Sequence, residues 1–594
     1  MYFSKQWPPI LSCCLSLPPQ RFICMKIFIL SLLLLLSGGI VCSQKLYPRD
    51  YFRSPMDFPL TLSGTFAELR PNHFHSGIDI KTGGVEGKPV YACADGYVSR
   101  IKISPYGFGK ALYVVHPNGY TTVYGHLSGF RSDITTYAKL RQYELESFDV
   151  DLFLKPGQLT VKKGEVFCYT GNSGSSMGPH LHFEIRDSNT EEPIDPLLFG
   201  MPVKDFIRPT LKGFRIYAEG ENSMVNDRRG SAEPLLAGWG EGYHFRLGDT
   251  VTVAGGVSFG LLAWDQLNGA SNKNGINRLT LTIDSTIFFN FIARRFSFSE
   301  TRYLNALIDY AEYHKTGQRY IRTRKLPNSK LSLYDKIESE GIFYPEAGKT
   351  YNIKVELADG SDNISILKFN LRGEPVSHTL DSPVLKGQLF NYQTLNRFTT
   401  PHLRITIPEN CLYENIYFEY NAGDALKTTC APIHTIHSAT TPVHNFYELS
   451  IRVDSVWRAY KDKLTLVRLS SKNKPTAVGG TYENGFLSGR VRDFGRYTIM
   501  ADTINPTIKS RNIYDQKKIT AQSTIEFTIS DDLSGIKSYR ATLNGEWILM
   551  DYDAKKGLLT YDFDHLLRPG ANKFELVVMD GCLNTTSYQA TVLY

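Results

Sequence analysis

The sequence predicts a mainly β protein: an N-terminal antiparallel β domain with a short helical insertion, followed by about three β-sandwich domains. Three observations carry this prediction. His180-Leu181-His182 falls in a stretch with the period-two alternation of a strand, which places both imidazoles on one face. Beyond Pro209, short runs rich in Val, Ile, Thr, Tyr and Phe, spaced by Gly, Asn and Asp turns, continue to the last residue. At 594 residues the chain is also too long for one hydrophobic core.

Residues 1–43 read as a leader with a signal peptide, for which Met25 offers an alternative start. Met25-Lys26 supplies a charged beginning and Ile27 to Leu36 an apolar core, of signal-peptide length rather than a membrane span. Val41 and Ser43 can serve as the small residues before a cut at Gln44. A lipoprotein site at Cys42 is the weaker alternative, because Val41 replaces the small residue needed directly before it. The expectation is an exported protein of the periplasm or cell envelope, or secreted, with no stable membrane span once the leader is gone. The formal charge is +7, but Lys5, Arg21 and Lys26 lie in the leader with no acidic residue beside them, so the remainder is near +4. So mild a charge excludes nucleic acid as the expected partner.

Of nine cysteines, Cys13, Cys14, Cys24 and Cys42 belong to the leader. An odd five remain. Cys411 and Cys430 could pair across a hairpin, whereas Cys93 and Cys168 lie in apolar, strand-like surroundings that suit packing. No pair has zinc-ribbon spacing.

The chemistry concentrates in residues 44–208. His75-Ser76-Gly77-Ile78-Asp79 and Gly178-Pro179-His180-Leu181-His182-Phe183-Glu184 together offer two histidines and an aspartate for zinc, which in catalytic sites takes three protein ligands and keeps a fourth position for water. A further imidazole, His126, stands in Val123-Tyr124-Gly125-His126-Leu127-Ser128.

These blocks, in order, resemble the lysostaphin/LytM-type zinc endopeptidases of bacterial cell walls over about Gly64 to Gly200. The resemblance rests on His75 and Asp79, then Gly87-Lys88-Pro89-Val90-Tyr91-Ala92 with Asp95-Gly96-Tyr97-Val98, then Tyr124 to Leu127. It continues through the Gly-rich turn Thr170-Gly171-Asn172-Ser173-Gly174-Ser175-Ser176 into His180 and His182. It implies His75, Asp79 and His182 as ligands of one Zn²⁺ and His126 and His180 as catalytic histidines, taken as a pair. It also implies peptidoglycan as the partner and hydrolysis of stem-peptide or cross-link bonds by zinc-activated water, a D-Ala cross-link before a Gly-Gly bridge. Two alternatives stand beside it: a protease for exported proteins, and a low-turnover peptidoglycan-binding scaffold or activator. Any regulatory protein partner is unidentified. His73 reads as a site-rim residue and His116 as a packed strand-end histidine. The Gly/Ser run lacks the Lys-Ser/Thr ending of a phosphate cradle, so it reads as a tight loop lining the cleft.

Within this domain, Ile134, Tyr137, Leu140 and Leu145 suggest a helix over Ser132 to Ser147, before alternation at Val150, Leu152 and Leu154. This insertion is a cleft wall or lid, or else surface decoration. The remaining units are expected at 209–375, 380–500 and 503–594. In the last, Ser530-Asp531-Asp532-Leu533-Ser534-Gly535-Ile536 and Val578-Met579-Asp580-Gly581 resemble bacterial immunoglobulin-like modules, a likeness that speaks to fold and not to ligand.

Overall fold

The computed structural model describes residues 47–376 and 386–594. The expected leader lies outside them, and no helix among the described residues is long and apolar enough to cross a membrane. Residues Arg49–Tyr594 form one compact unit built mainly of β-structure.

The sheet that positions the site contains β1 (Leu62–Gly64), β2 (Ile78–Lys81), β3 (Gly96–Ile103), β4 (Lys110–Val115), β5 (Tyr120–Leu127), β6 (Val150–Phe153) and β7 (His180–Asp187). Their order is β1-β2-β7-β5-β4-β3-β6, every neighbouring pair antiparallel. The central strand β7 sends Leu181, Phe183 and Ile185, all fully buried, to one face. His180, His182, Glu184 and Arg186 alternate onto the other. A smaller sheet of Pro89–Tyr91, Val166–Tyr169 and Gly129–Phe130 carries the chain into the Gly-rich loop.

Helix α1 (Ser132–Glu144) occupies the expected insertion. Its buried stripe is Ile134, Ala138 and Gln142, spaced four apart, whereas Leu140 and Leu145 are exposed. The apolar residues of the sequence drift around the helix; the buried face follows the i, i+4 row, where the Gln142 side chain donates to Phe148 O at 2.7 Å. The helix end docks on the C-terminal β-structure. Tyr143 donates to Asp564 and packs edge-on against Trp547 at 5.2 Å, and Arg540 pairs with Glu146 at 2.5 Å.

Between Thr210 and Glu374 nine strands make one continuous sheet, and Leu236–Ala237 pairs with His244–Phe245 apart from it. Its long strand Thr250–Trp264 pairs antiparallel with Thr210–Val225, parallel with Ile364–Glu374 at one end, and with Ile321–Arg322 at the other. The pairing register of the two long strands shifts between Leu211 and Gly213 and again between Glu219 and Met224, irregularities of the kind that bend a strand pair. Two five-stranded sheets lie between Asn396 and Ala501, and a four- and a five-stranded sheet between Thr507 and Leu593. One core is shared across the first junction: Phe66 and Phe74 pack on Phe296 at 5.3 and 5.6 Å and join the cluster of Phe214, Phe259 and Phe369. The five described cysteines, Cys411 and Cys430 among them, are free and buried.

Candidate functional site

The site is assembled by strand register. His182 on β7 is the direct cross-strand partner of Asp79 on β2, so their side chains rise from the same face. His75, four residues before Asp79, reaches the same point. His75 Nε2 lies 3.1 Å from Asp79 Oδ1 and 3.1 Å from His182 Nδ1, and His182 Nδ1 lies 2.9 Å from Asp79 Oδ1. All three residues are buried.

Each remaining polar atom of the trio has its own partner. His75 Nδ1 donates to Thr65 O at 2.8 Å, Arg70 Nη2 donates to Asp79 Oδ2 at 2.5 Å, and His182 Nε2 meets Glu184 Oε1 at 2.8 Å. Glu184 is fully buried, takes the Ser76 hydroxyl on Oε1 and is paired through Oε2 with Arg186 at 2.5 Å. Two imidazole nitrogens and one carboxylate oxygen, converging and held from behind in this way, fit zinc.

The electrostatics follow from this packing. Burial pulls His75 below its ordinary value. Burial would lower His182 too, but the carboxylates of Asp79 and Glu184 outweigh it and hold the ring up at about 9. Burial would likewise raise Asp79, yet His75, His180 and His182 keep its carboxyl well below the usual range. Arg186 and His182 overcome burial at Glu184 and hold it down at about 2, so it is ionised.

His126 and His180 flank the trio, their ring centroids 4.8 Å apart. His126 sits on a bulge: Lys110 pairs with Leu127 and Leu112 with Tyr124, so two residues of β5 face one of β4. The bulge gives His126 a φ of +59° and turns its ring toward the site, a local strain of about 1–2 kcal/mol for a residue with a β-carbon. Its Nδ1 donates to Ser173 O at 2.9 Å, and His180 Nδ1 donates to Gly178 O at 2.8 Å. Both anchors belong to the Gly-rich loop. Burial and the neighbouring His182 and His180 pull His126 down to about 3, so it is neutral at pH 7.

That loop packs too tightly for side chains. Gly109 and Gly174 hold φ of +66° and +67°, and a β-carbon on Gly174 would lie 2.3 Å from Gly109 N. Its outer side is gripped by the C-terminal sheet: Lys555 Nζ donates to Ser176 O at 2.9 Å and to Asn172 O, and Lys110 pairs with Asp551 at 2.7 Å. Between them lies a cavity of 210 Å³ lined by Ser128, Asn172, Ser173, Gly174, Asp551 and Lys556.

The structure thus brings His75, Asp79, His126, His180 and His182 together. His73 is exposed, its ring bonded to Pro71 O, and His116 is packed against Asp95 O and Thr122 Oγ1. Sequence reasoning missed Arg70, Glu184 and Arg186. For the last two the signal was available, since they continue the same period-two face beyond His182.

Comparison with known proteins agrees with this geometry. The profile of peptidase family M23 matches residues 73–196, and that of the Zu5-like domain matches residues 387–502. The chain is 29% identical over 156 residues to DD-carboxypeptidase/endopeptidase Mpg of Neisseria meningitidis serogroup B, covering 26% of this chain and 30% of that protein. It is 34% identical over 134 residues to an uncharacterized metalloprotease of Haemophilus influenzae, covering 23% and 22%. With peptidoglycan DD-endopeptidase ShyB of Vibrio cholerae it shares 32% over 129 residues, 22% of this chain and 24% of that one. The chain therefore spans less than a third of each relative. Residues 73–196 are a peptidase family M23 domain of the lysostaphin/LytM type.

Proposed function

We propose that this chain is an exported, zinc-dependent endopeptidase that hydrolyses peptide bonds of peptidoglycan stem peptides or cross-links, of the D,D type. The observation that carries the reading is the convergence of His75 Nε2, Asp79 Oδ1 and His182 Nδ1 within 3.1 Å of one another, with two further histidines beside them. Relatives named for DD-endopeptidase activity support the substrate class.

In this reading His75, Asp79 and His182 hold the metal. Zinc bound there supplies Lewis-acid activation of water and of the scissile carbonyl. The chain's own residues do the rest. His126 and His180 each have Nδ1–H fixed on a loop carbonyl, which turns Nε2 of each toward the site, that of His180 3.4 Å from Asp79 Oδ1, where the pair can take a proton or give one to the developing oxyanion or the leaving amine. Glu184 and Arg70 orient the ligands without touching the substrate.

The test incubates the chain from residue 44 onward with intact peptidoglycan and follows released muropeptides by mass, with a zinc chelator and with His180→Ala as controls. New amine ends that vanish in both controls are expected. His182→Ala should also lose the metal, whereas His180→Ala should keep it and lose about 100-fold or more in turnover. Zinc loss in His180→Ala would overturn the assignment of roles, and release undiminished by the chelator would overturn the function.

A further inference from the structure

A second group of potential ligands lies where the peptidase domain joins the nine-stranded sheet. Asp205, Asp265 and Asp359 are 6%, 2% and 3% exposed, and one oxygen from each lies within 4.8 Å of the others. Asp205 comes from the connecting segment, Asp265 from the end of Thr250–Trp264, and Asp359 from the turn after Thr350–Ala358. No Lys, Arg or His is paired with any of the three among the described residues.

Two of them are braced. Asp205 Oδ1 accepts from Ile207 N, and Asp359 accepts from Ser361 N, Asn363 N and the Asn363 amide. Asp265 is not: its Oδ1 is buried without a hydrogen bond. Beside it stands Asn274, 3% exposed, whose side-chain oxygen and nitrogen are both buried and unpartnered. Asp265 and Asn274 exchange both backbone hydrogen bonds, at 2.9 and 2.7 Å, so their side chains leave the ribbon on the same side. Leaving such groups buried and unsatisfied is destabilising, and more so when they are charged.

The layout occurs twice in the chain. Asp205-Phe-Ile-Arg-Pro-Thr-Leu-Lys leads into Ile216-Tyr217 as Asp502-Thr-Ile-Asn-Pro-Thr-Ile-Lys leads into Ile513-Tyr514. Asp265 and Gly269 correspond to Asp531 and Gly535, and Asp359-Gly360 with Asn363 to Asp580-Gly581 with Asn584. Asp502, Asp531 and Asp580 also converge, and Asn584 bridges Asp580 Oδ2 and Asp502 O as Asn363 bridges Asp359 Oδ2 and Asp205 O. The copies differ at one place. Asp531 accepts from Leu533 N and Gly535 N, whereas Asp265 Oδ1 has no partner and Asn274 is added.

We propose that Asp205, Asp265 and Asp359, with the Asn274 side-chain oxygen, bind a hard divalent cation of the Ca²⁺ type that fastens the peptidase domain to the β-structure that follows. An all-oxygen donor set, with no nitrogen or sulfur and contributed by turns and a strand end, matches Ca²⁺ better than Zn²⁺ or an octahedral, water-retaining Mg²⁺. The site is separate from the histidine centre.

The test titrates CaCl₂ into the metal-stripped chain from residue 44 onward, by calorimetry and thermal unfolding, for the parent, Asp265→Asn, Asn274→Ala and Asp531→Asn. The parent should melt higher as Ca²⁺ increases. Asp265→Asn should lose one equivalent of binding and that rise, yet without Ca²⁺ melt no lower than the parent, because the amide keeps the shape of the side chain and relieves the crowding of three carboxyl groups. Asn274→Ala should weaken binding by about tenfold, and Asp531→Asn should retain the equivalent lost in Asp265→Asn. No Ca²⁺-dependent rise in the parent, an unchanged titration of Asp265→Asn, or a loss of stability in that variant equal with and without Ca²⁺ would each overturn the proposal.

Discussion

Glu184 shows how a residue outside the first ring of donors governs the site. Fully buried and ionised between Arg186 and His182, it fixes the imidazole so that Nδ1 is the atom presented toward Asp79 and His75. Glu184→Gln keeps the shape and removes the charge; zinc affinity should fall by about 10- to 100-fold in a competition titration. The raised value of His182 has a consequence for the metal-free protein. Since about 9 lies above the ordinary 6.5, its stabilisation by Asp79 and Glu184 is complete below about 6.5 and disappears as the pH rises through 9. At pH 7 the ring is protonated, so zinc uptake should release about one proton. Calorimetry in buffers of different ionisation enthalpy will read that proton directly; uptake with no proton release would mean that His182 is neutral before metal arrives. His75, Asp79, His126, His180 and His182 were legible because each stands in a short block, the blocks follow one another in the order of a known family although the first and last lie 107 residues apart, and strand alternation puts His180 and His182 on one face. Arg70 was not, since it enters from the separate hairpin of Leu69–Arg70 with His73–Phe74, and nothing in its neighbours marks its direction.

At the scale of elements, the Gly-rich loop and the bulge in β5 act as one device. The bulge turns His126 inward, and the loop supplies the carbonyls that orient His126 and His180. Gly174→Ala would force a β-carbon against Gly109 N and displace those carbonyls. Turnover should fall on the order of 100-fold while zinc content stays unchanged, because the proposed ligands stand on and beside β2 and β7 and not on the loop. Steady-state kinetics beside metal analysis will separate the two effects. The loop was readable in the sequence as a tight turn, but the bulge was not, because a two-for-one register depends on the partner strand. The helix Tyr310–Thr316 was overlooked among the strands, although Asp309 caps it by accepting from Glu312 N and Gly317 ends it at φ +79°. Seven residues give too little periodicity to stand out beside long β runs.

For the whole molecule, the distant end of the chain reaches back to the cleft. Lys555 holds two carbonyls of the loop, and α1 rests on Trp547 and Asp564. Contacts that join residues nearly four hundred apart in sequence leave no trace in local pattern, which is why the insertion's surroundings could not be read beforehand. Lys555→Ala should accelerate amide hydrogen exchange in residues 171–178 and leave β7 protected; unchanged exchange in the loop would show that its own packing is sufficient.

The core shared by Phe66, Phe74 and Phe296 carries a different consequence, one for descent. A catalytic segment bounded by a polar seam can be moved between genes by recombination, because each piece keeps its own interior. Here a crossover near residue 208 would strand two phenylalanines in water on one product and open a hole in the other. The peptidase and the sheet behind it are thus bound to be inherited, and to diversify, as a pair.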